Sequence, residues 1–191
     1  MDKKVQHAVK GRGKGSGFER DISRFLSKWW SNGERDDLFW RNRTKVTSKT
    51  PNAKHQLGDI CATSSLGIPF IEVFNIECKR GYNKINPFDL IIFRKSKFIT
   101  FCDQVINDSK LSNRIPLLIL KQDRKEALVI IDRMDLLSLE YYIGKHEKID
   151  YYIELVIKAS TYCIFTMKDF FDFMNPEPIK LMWKKEYKGK K

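Results

Sequence analysis

An apolar stretch, Phe70 to Ile76, ends in Glu77-Cys78-Lys79 and then Arg80-Gly81. Read as a strand from Phe70 to Lys79, it places Glu77 and Lys79 on one face and Cys78 on the other, because strand side chains alternate. Such a strand needs a sheet behind it and an open end in front. Ile115 to Leu120 is a continuous apolar run that reads as a central buried strand. Ala127 to Ile131 pairs with it through the polar turn Gln122 to Lys125. Leu38 to Arg43, Asp59 to Thr63, Tyr151 to Ile157 and Tyr162 to Thr166 are further strands.

Helical spacing appears between these runs. Phe18, Ile22, Phe25, Leu26 and Trp29 share one face of a helix from about Gly17 to Ser31, with Ser16 and Glu19 spaced as a capping box. A helical region in two parts, Pro87 to Phe93 and Lys97 to Leu111, follows the Glu77 strand. Asp132 caps a short helix, and Lys168 to Met174 forms a last one. Ser64 to Pro69 reads as a turn, and Thr44 to Gln56 as a long polar loop. This order predicts an α/β fold with a mixed central sheet flanked by helices. One domain, residues 15–178, is expected between a flexible basic arm (1–14) and a basic tail (179–191) that frays.

Charge narrows the function. The chain has 36 basic and 24 acidic residues in 191, a formal net charge of +12. That excess favours a polyanionic partner, most simply nucleic acid, with an anionic membrane surface as the rival. No apolar run reaches the roughly 18 to 20 residues of a membrane span. The polar N-terminus is not a secretory signal. Cys61, Cys78, Cys102 and Cys163 form no CxxC pair, so a structural zinc site is not expected, and free thiols suit a reducing cytoplasm. His7, His55 and His146 are scattered and form no triad.

Phosphodiester cleavage requires a cation at the scissile phosphate and an activated water. Asp59 and Glu77 supply two carboxylates for a hard cation such as Mg²⁺, and the Cys78 carbonyl a third oxygen. Lys79 can orient the water or stabilise developing negative charge. A second E-x-K triplet, Glu186-Tyr187-Lys188, lies in the tail, so the triplet alone carries little. The plain alternative is a surface salt bridge worth roughly 0 to 1 kcal/mol. The residues by themselves leave both readings open.

Gly15-Ser16-Gly17-Phe18-Glu19-Arg20, Gly58-Asp59-Ile60 and Ile76-Glu77-Cys78-Lys79 together resemble the PD-(D/E)xK nuclease superfamily. Within it, the glycine-rich opening and E-R helix are most similar to archaeal and viral Holliday junction resolvases. The resemblance covers residues 12–80 by motif and extends to Ile131 as a pattern of elements. It implies a restriction-endonuclease-like core acting on DNA, branched forms included, with Mg²⁺ or Mn²⁺ in its place, as a homodimer. Asp59 and Glu77 would be metal ligands, Lys79 the catalytic lysine and Glu19 a further acidic residue of the site. Gly58 stands where the superfamily pattern usually has proline.

Candidate DNA contacts are Arg12, Lys14, Arg41, Arg43, Lys45, Lys49, Lys54 and Arg80. Gln104, on the helix after the E-x-K strand, and Lys121, at the end of the Ile115 strand, are additional candidates, although a solvated helical glutamine is the commoner case. A restriction-type or end-processing nuclease, and a non-catalytic nucleic-acid-binding protein of the same fold, are the alternatives.

Overall fold

The structure, a computed structural model, describes residues 11–42, 57–82, 96–144, 152–157 and 160–189. The first element, α1, runs Gly11–Trp30. Phe18, Ile22, Leu26 and Trp30 recur every fourth residue and are buried, so one stripe of α1 faces the core. Trp29 and Trp30 satisfy their indole N–H groups on Phe171 O and Leu66 O, both at 2.8 Å. The helix begins well before Gly17: glycine weakens a helix by about 1 kcal/mol per residue but does not forbid it. Residues 11–14, expected in a flexible arm, are therefore helical, and residues 1–10 lie outside the described residues. Ser16 sits inside α1 and donates to Gly13 O at 3.3 Å, so the predicted capping box does not form.

Strands β1 (Phe39–Arg41) and β2 (Ile60–Ala62) form an antiparallel ribbon with Trp40 opposite Cys61. The Phe39 N–H donates to the buried Ser27 hydroxyl at 3.0 Å and so ties β1 to α1. A 3₁₀ turn (Ser65–Gly67), α2 (Ile68–Val73) and β3 (Phe74–Arg80) follow. Here the structure corrects the predicted strand from Phe70. Ser64 caps the turn, Pro69 occupies the first turn of α2 where its missing N–H costs nothing, and Phe70, Ile71 and Val73 bury as helix residues. A short apolar run cannot by itself distinguish the two states. The strand still carries Glu77 and Lys79 in the expected alternation.

Ser96 caps α3 (Lys97–Ser112), and Asn113 ends it with φ 54°. Then come β4 (Ile115–Lys121), β5 (Ala127–Asp132), α4 (Arg133–Ile143, capped by Asp132), β6 (Ile153–Ile157), β7 (Ser160–Thr166), α5 (Met167–Phe173) and α6 (Pro176–Met182). The predicted helix Pro87 to Phe93 lies outside the described residues. The main sheet has the order β3-β4-β5-β7-β6, parallel between β3 and β4 and antiparallel elsewhere, so it is mixed.

Alternation along the strands divides the core. Ile76, Leu117, Ile119, Val129 and Ile131 pack with α1, α4, α5 and α6. Leu118, Leu120 and Ile130 face the other way, against Phe98, Phe101, Cys102 and Val105 of α3. Glu77 and Lys79 therefore point toward α3, and Cys78 toward α1.

The C-terminal segment does not fray over its described part. Ile179 and Met182 of α6 are buried, and a π-helical turn, Trp183–Tyr187, continues it. The Trp183 indole N–H donates to Glu72, and the Tyr142 hydroxyl donates to Glu186 at 2.7 Å. Apolar residues set among the lysines make this segment amphipathic, which a count of charge conceals. Ile179→Ala should cost roughly 2–5 kcal/mol in urea unfolding, the range for emptying a packed core position. A value within a few tenths of zero would mean the segment only rests on the surface.

Candidate active site

The site lies at the free edge of β3. The Gly58-Asp59 segment runs along that edge: Asp59 N–H donates to Ile76 O at 2.7 Å, and the Cys78 N–H donates to Asp59 Oδ2 at 2.7 Å. A strand residue's N–H and C=O leave the same edge, so the Cys78 carbonyl lies on the Asp59 side as well.

Gly58 allows this close approach. Its φ is +88°, and a Cβ there would lie 2.5 Å from Asn75 Oδ1 and 2.9 Å from Ile76 O. Asn75 is 1% exposed. A side chain at position 58 would meet both a left-handed backbone and a filled space. Gly58→Ala should therefore destabilise the fold by about 2–4 kcal/mol and displace Asp59. Thermal melts test this; a variant that melts like the wild type would contradict the packing.

On the α3 side of β3, Glu77 is 5% exposed. It accepts hydrogen bonds from the Lys79 ammonium and from Gln104 Nε2, the latter at 2.8 Å. The ammonium also lies 5.3 Å from the centre of the Phe101 ring. Burial, the Glu77 charge and the Glu19 charge push the Asp59 carboxyl up to about 7, against the opposing Cys78 N–H. Burial raises Glu77 too, with Lys79 and Gln104 opposing and Asp108 adding to the rise. Burial disfavours the Lys79 ammonium, but the Glu77 charge and hydrogen bond outweigh it, and its pKa lies above the ordinary value.

Two largely desolvated carboxylates that repel one another fit a hard cation, whose charge would relieve both. Among the described residues no group of three or more Asp, Glu, His or Cys side chains gathers for a metal. Two carboxylates and a carbonyl would be a sparse donor set, the kind that suits Mg²⁺, which keeps several waters.

A sequence model of the family described as "Phage putative PDDEXK endonuclease" matches residues 10–181. The chain belongs to this family. No curated protein and no solved structure matches it. By that description the family is one of endonucleases, and the α/β fold with a mixed, helix-flanked sheet is consistent with a restriction-endonuclease-like core.

Asp59, Glu77, Lys79 and Gln104 come together at β3. Glu19 pairs with Arg41 at 3.0 Å, their side chains 17% and 26% exposed, near enough to Asp59 for its charge to be felt there. Arg41, expected on DNA, is thus held against the acidic cluster. Lys14 and Arg80 both pair with Asp123, at 3.0 and 3.6 Å. Lys121 lies opposite Arg80 on β4, on the α1 side of the sheet by alternation, away from Glu77 and Lys79. Arg12 lies in α1 with its side chain outside the described residues, as are Arg43, Lys45, Lys49, Lys54 and the three histidines.

Cys78, Cys102 and Cys163 are buried free thiols, and Cys61 is half-buried. No helix among the described residues is long and apolar enough to cross a membrane. Asp108 and Asn42 were not singled out from sequence. Asp108 follows Gln104 by one helical turn, a signal that was present. Asn42, between β1 and a polar segment, had none.

Proposed function

We propose that the protein is a Mg²⁺-dependent DNA endonuclease, with Mn²⁺ as a substitute, that hydrolyses phosphodiester bonds at the β3 edge. The observation that carries this is the pairing of Asp59 and Glu77 carboxylates beside an ammonium, in a member of an endonuclease family. Asp59, Glu77 and the Cys78 carbonyl would hold the cation, which when bound supplies charge neutralisation at the phosphate and acidifies the attacking water. Lys79, oriented by Glu77 and by the Phe101 ring, meets the phosphate charge as it develops. Gln104 fixes the Glu77 carboxylate in one rotamer. Glu19 adds negative charge from α1. The basic excess favours binding of a polyanion, and Arg41, held on Glu19, is at hand once DNA competes for its carboxylate partner.

In this reading the protein cuts structure-selectively as a homodimer, since one site per chain serves one strand of a two-strand cut. Free thiols support action in a reducing cytoplasm, where the DNA is. Incubating the protein and Mg²⁺ with a four-way junction, linear duplex, single strand and blunt and recessed ends tests both levels. Junction cutting with the linear duplex intact supports structure selectivity. Cutting at ends or along linear duplex moves the assignment to an end-processing or restriction-type enzyme. Salt-sensitive binding with no cutting of any substrate overturns the catalytic reading in favour of a binding module.

A further inference from the structure

Three successive carbonyls at the site are each held by a hydrogen bond from another part of the fold. Leu57 O accepts from Arg114 Nη2 at 3.4 Å, Gly58 O from Asn42 Nδ2 at 3.2 Å, and Asp59 O from the Asn42 N–H at 2.7 Å. Arg114 stands at the entry to β4 and Asn42 at the exit of β1, so donors distant in sequence converge on one short segment. That segment contains Gly58, the residue type with the widest backbone freedom, directly before Asp59. A glycine beside a ligand leaves the ligand's direction to whatever restrains the neighbouring peptide planes.

Arg114 is costly where it lies. It is 8% exposed, and a buried cation loses several kcal/mol of solvation. Its guanidinium donates to main-chain oxygens, Ile71 O at 2.9 Å as well as Leu57 O. Ile71 is in α2, which leads into β3, and Leu57 leads into Asp59. One planar fork therefore spans the two segments that carry the site's carboxylates.

We propose that Asn42 and Arg114 are positioning residues that clamp the main chain from Leu57 to Asp59 and so aim the Asp59 carboxylate at the metal. This rests on the metal-dependent nuclease reading above. Groups that orient a metal ligand typically change metal affinity by 10- to 100-fold when lost.

The test is Mn²⁺ binding to the full chain by calorimetry, with Mg²⁺ titration of DNA cleavage alongside, for wild type, Asn42→Ala and Arg114→Lys. Asn42→Ala removes the bond to Gly58 O but keeps the main-chain bond to Asp59 O. It should bind Mn²⁺ on the order of tenfold more weakly. The Mg²⁺ concentration for half-maximal cleavage should rise by a similar factor, with the KM for DNA unchanged and the rate recovered at high Mg²⁺. Arg114→Lys keeps the charge, loses the fork and should shift both in the same direction; if it fails to fold, Asn42→Ala alone decides. Wild-type Mn²⁺ affinity in Asn42→Ala, even with a lowered melting temperature, overturns the clamp and leaves the nuclease reading intact. A wild type that binds no Mn²⁺ overturns both.

Discussion

Replacing Asp59 with Asn should abolish metal-dependent cleavage, by at least about 10³-fold, while making the metal-free protein more stable above pH 7. The two effects have one cause. Asn keeps the acceptor for the Cys78 N–H and removes the charge that burial and Glu77 oppose. The folded-state pKa of Asp59 is raised from the ordinary 3.8 to about 7. Between those values the folded protein holds a proton that the unfolded chain has released, so stability falls as pH rises through that window. The full penalty is present above pH 7 and absent below about pH 4. Asn never ionises, so its gain appears on the alkaline side and amounts to roughly 2–4 kcal/mol. Thermal melts in EDTA at pH 8 and pH 4 measure it. Equal melting at pH 8 would contradict the raised Asp59 carboxyl, and cleavage at the wild-type rate would remove Asp59 from the site.

Lys79→Met should reduce cleavage by about 10²–10³-fold with DNA affinity changed only a few-fold. Its ammonium is the partner of a carboxylate buried at the sheet edge, and it rests on an aromatic ring, so it is directed rather than solvated. Losing it removes the main force that opposes the upward shift of Glu77. Glu77 must be ionised to hold a cation, and a higher pKa means that ionisation comes later on the pH scale. The residual activity should therefore move to higher pH. A pH–rate profile with the wild-type midpoint would show that Lys79 does not tune Glu77, and an undiminished rate that it does not assist the chemistry.

Long elements with strong periodicity were legible. The helix expected at Lys97 to Leu111 runs Lys97–Ser112, and the strands expected at Ile115 to Leu120 and Ala127 to Ile131 each extend by one residue. Segments where two states compete were not. Phe70 to Val73 is apolar enough for a strand, and the choice fell to a cap at Ser64 and a proline at helix position one or two. The lysines after Lys180 hid an amphipathic helix anchored by Ile179 and Met182.

For the site, alternation alone put Glu77 and Lys79 together, because that relation is local. The bond from the Cys78 N–H to Asp59, the one from Gln104 to Glu77 and the capture of Glu19 by Arg41 are not local. Each depends on how α1, α3 and the β1–β2 ribbon dock on β3. Glu19 shows the limit clearly: its spacing from Ser16 fits a cap, and its partner is instead a residue on another element. The clamp at Leu57 to Asp59 had no sequence signal, since its acceptors are main-chain atoms.

In the proposed mechanism Asp59 and Glu77 act together as one metal-dependent cleavage site. The most direct test is DNA cutting by wild type and Glu77→Ala, each with Mg²⁺ and with EDTA, on the substrate that wild type cuts best. Only wild type with Mg²⁺ should cut, with both proteins folded and both binding DNA. Cutting by Glu77→Ala at the wild-type rate, or by wild type in EDTA, would contradict it.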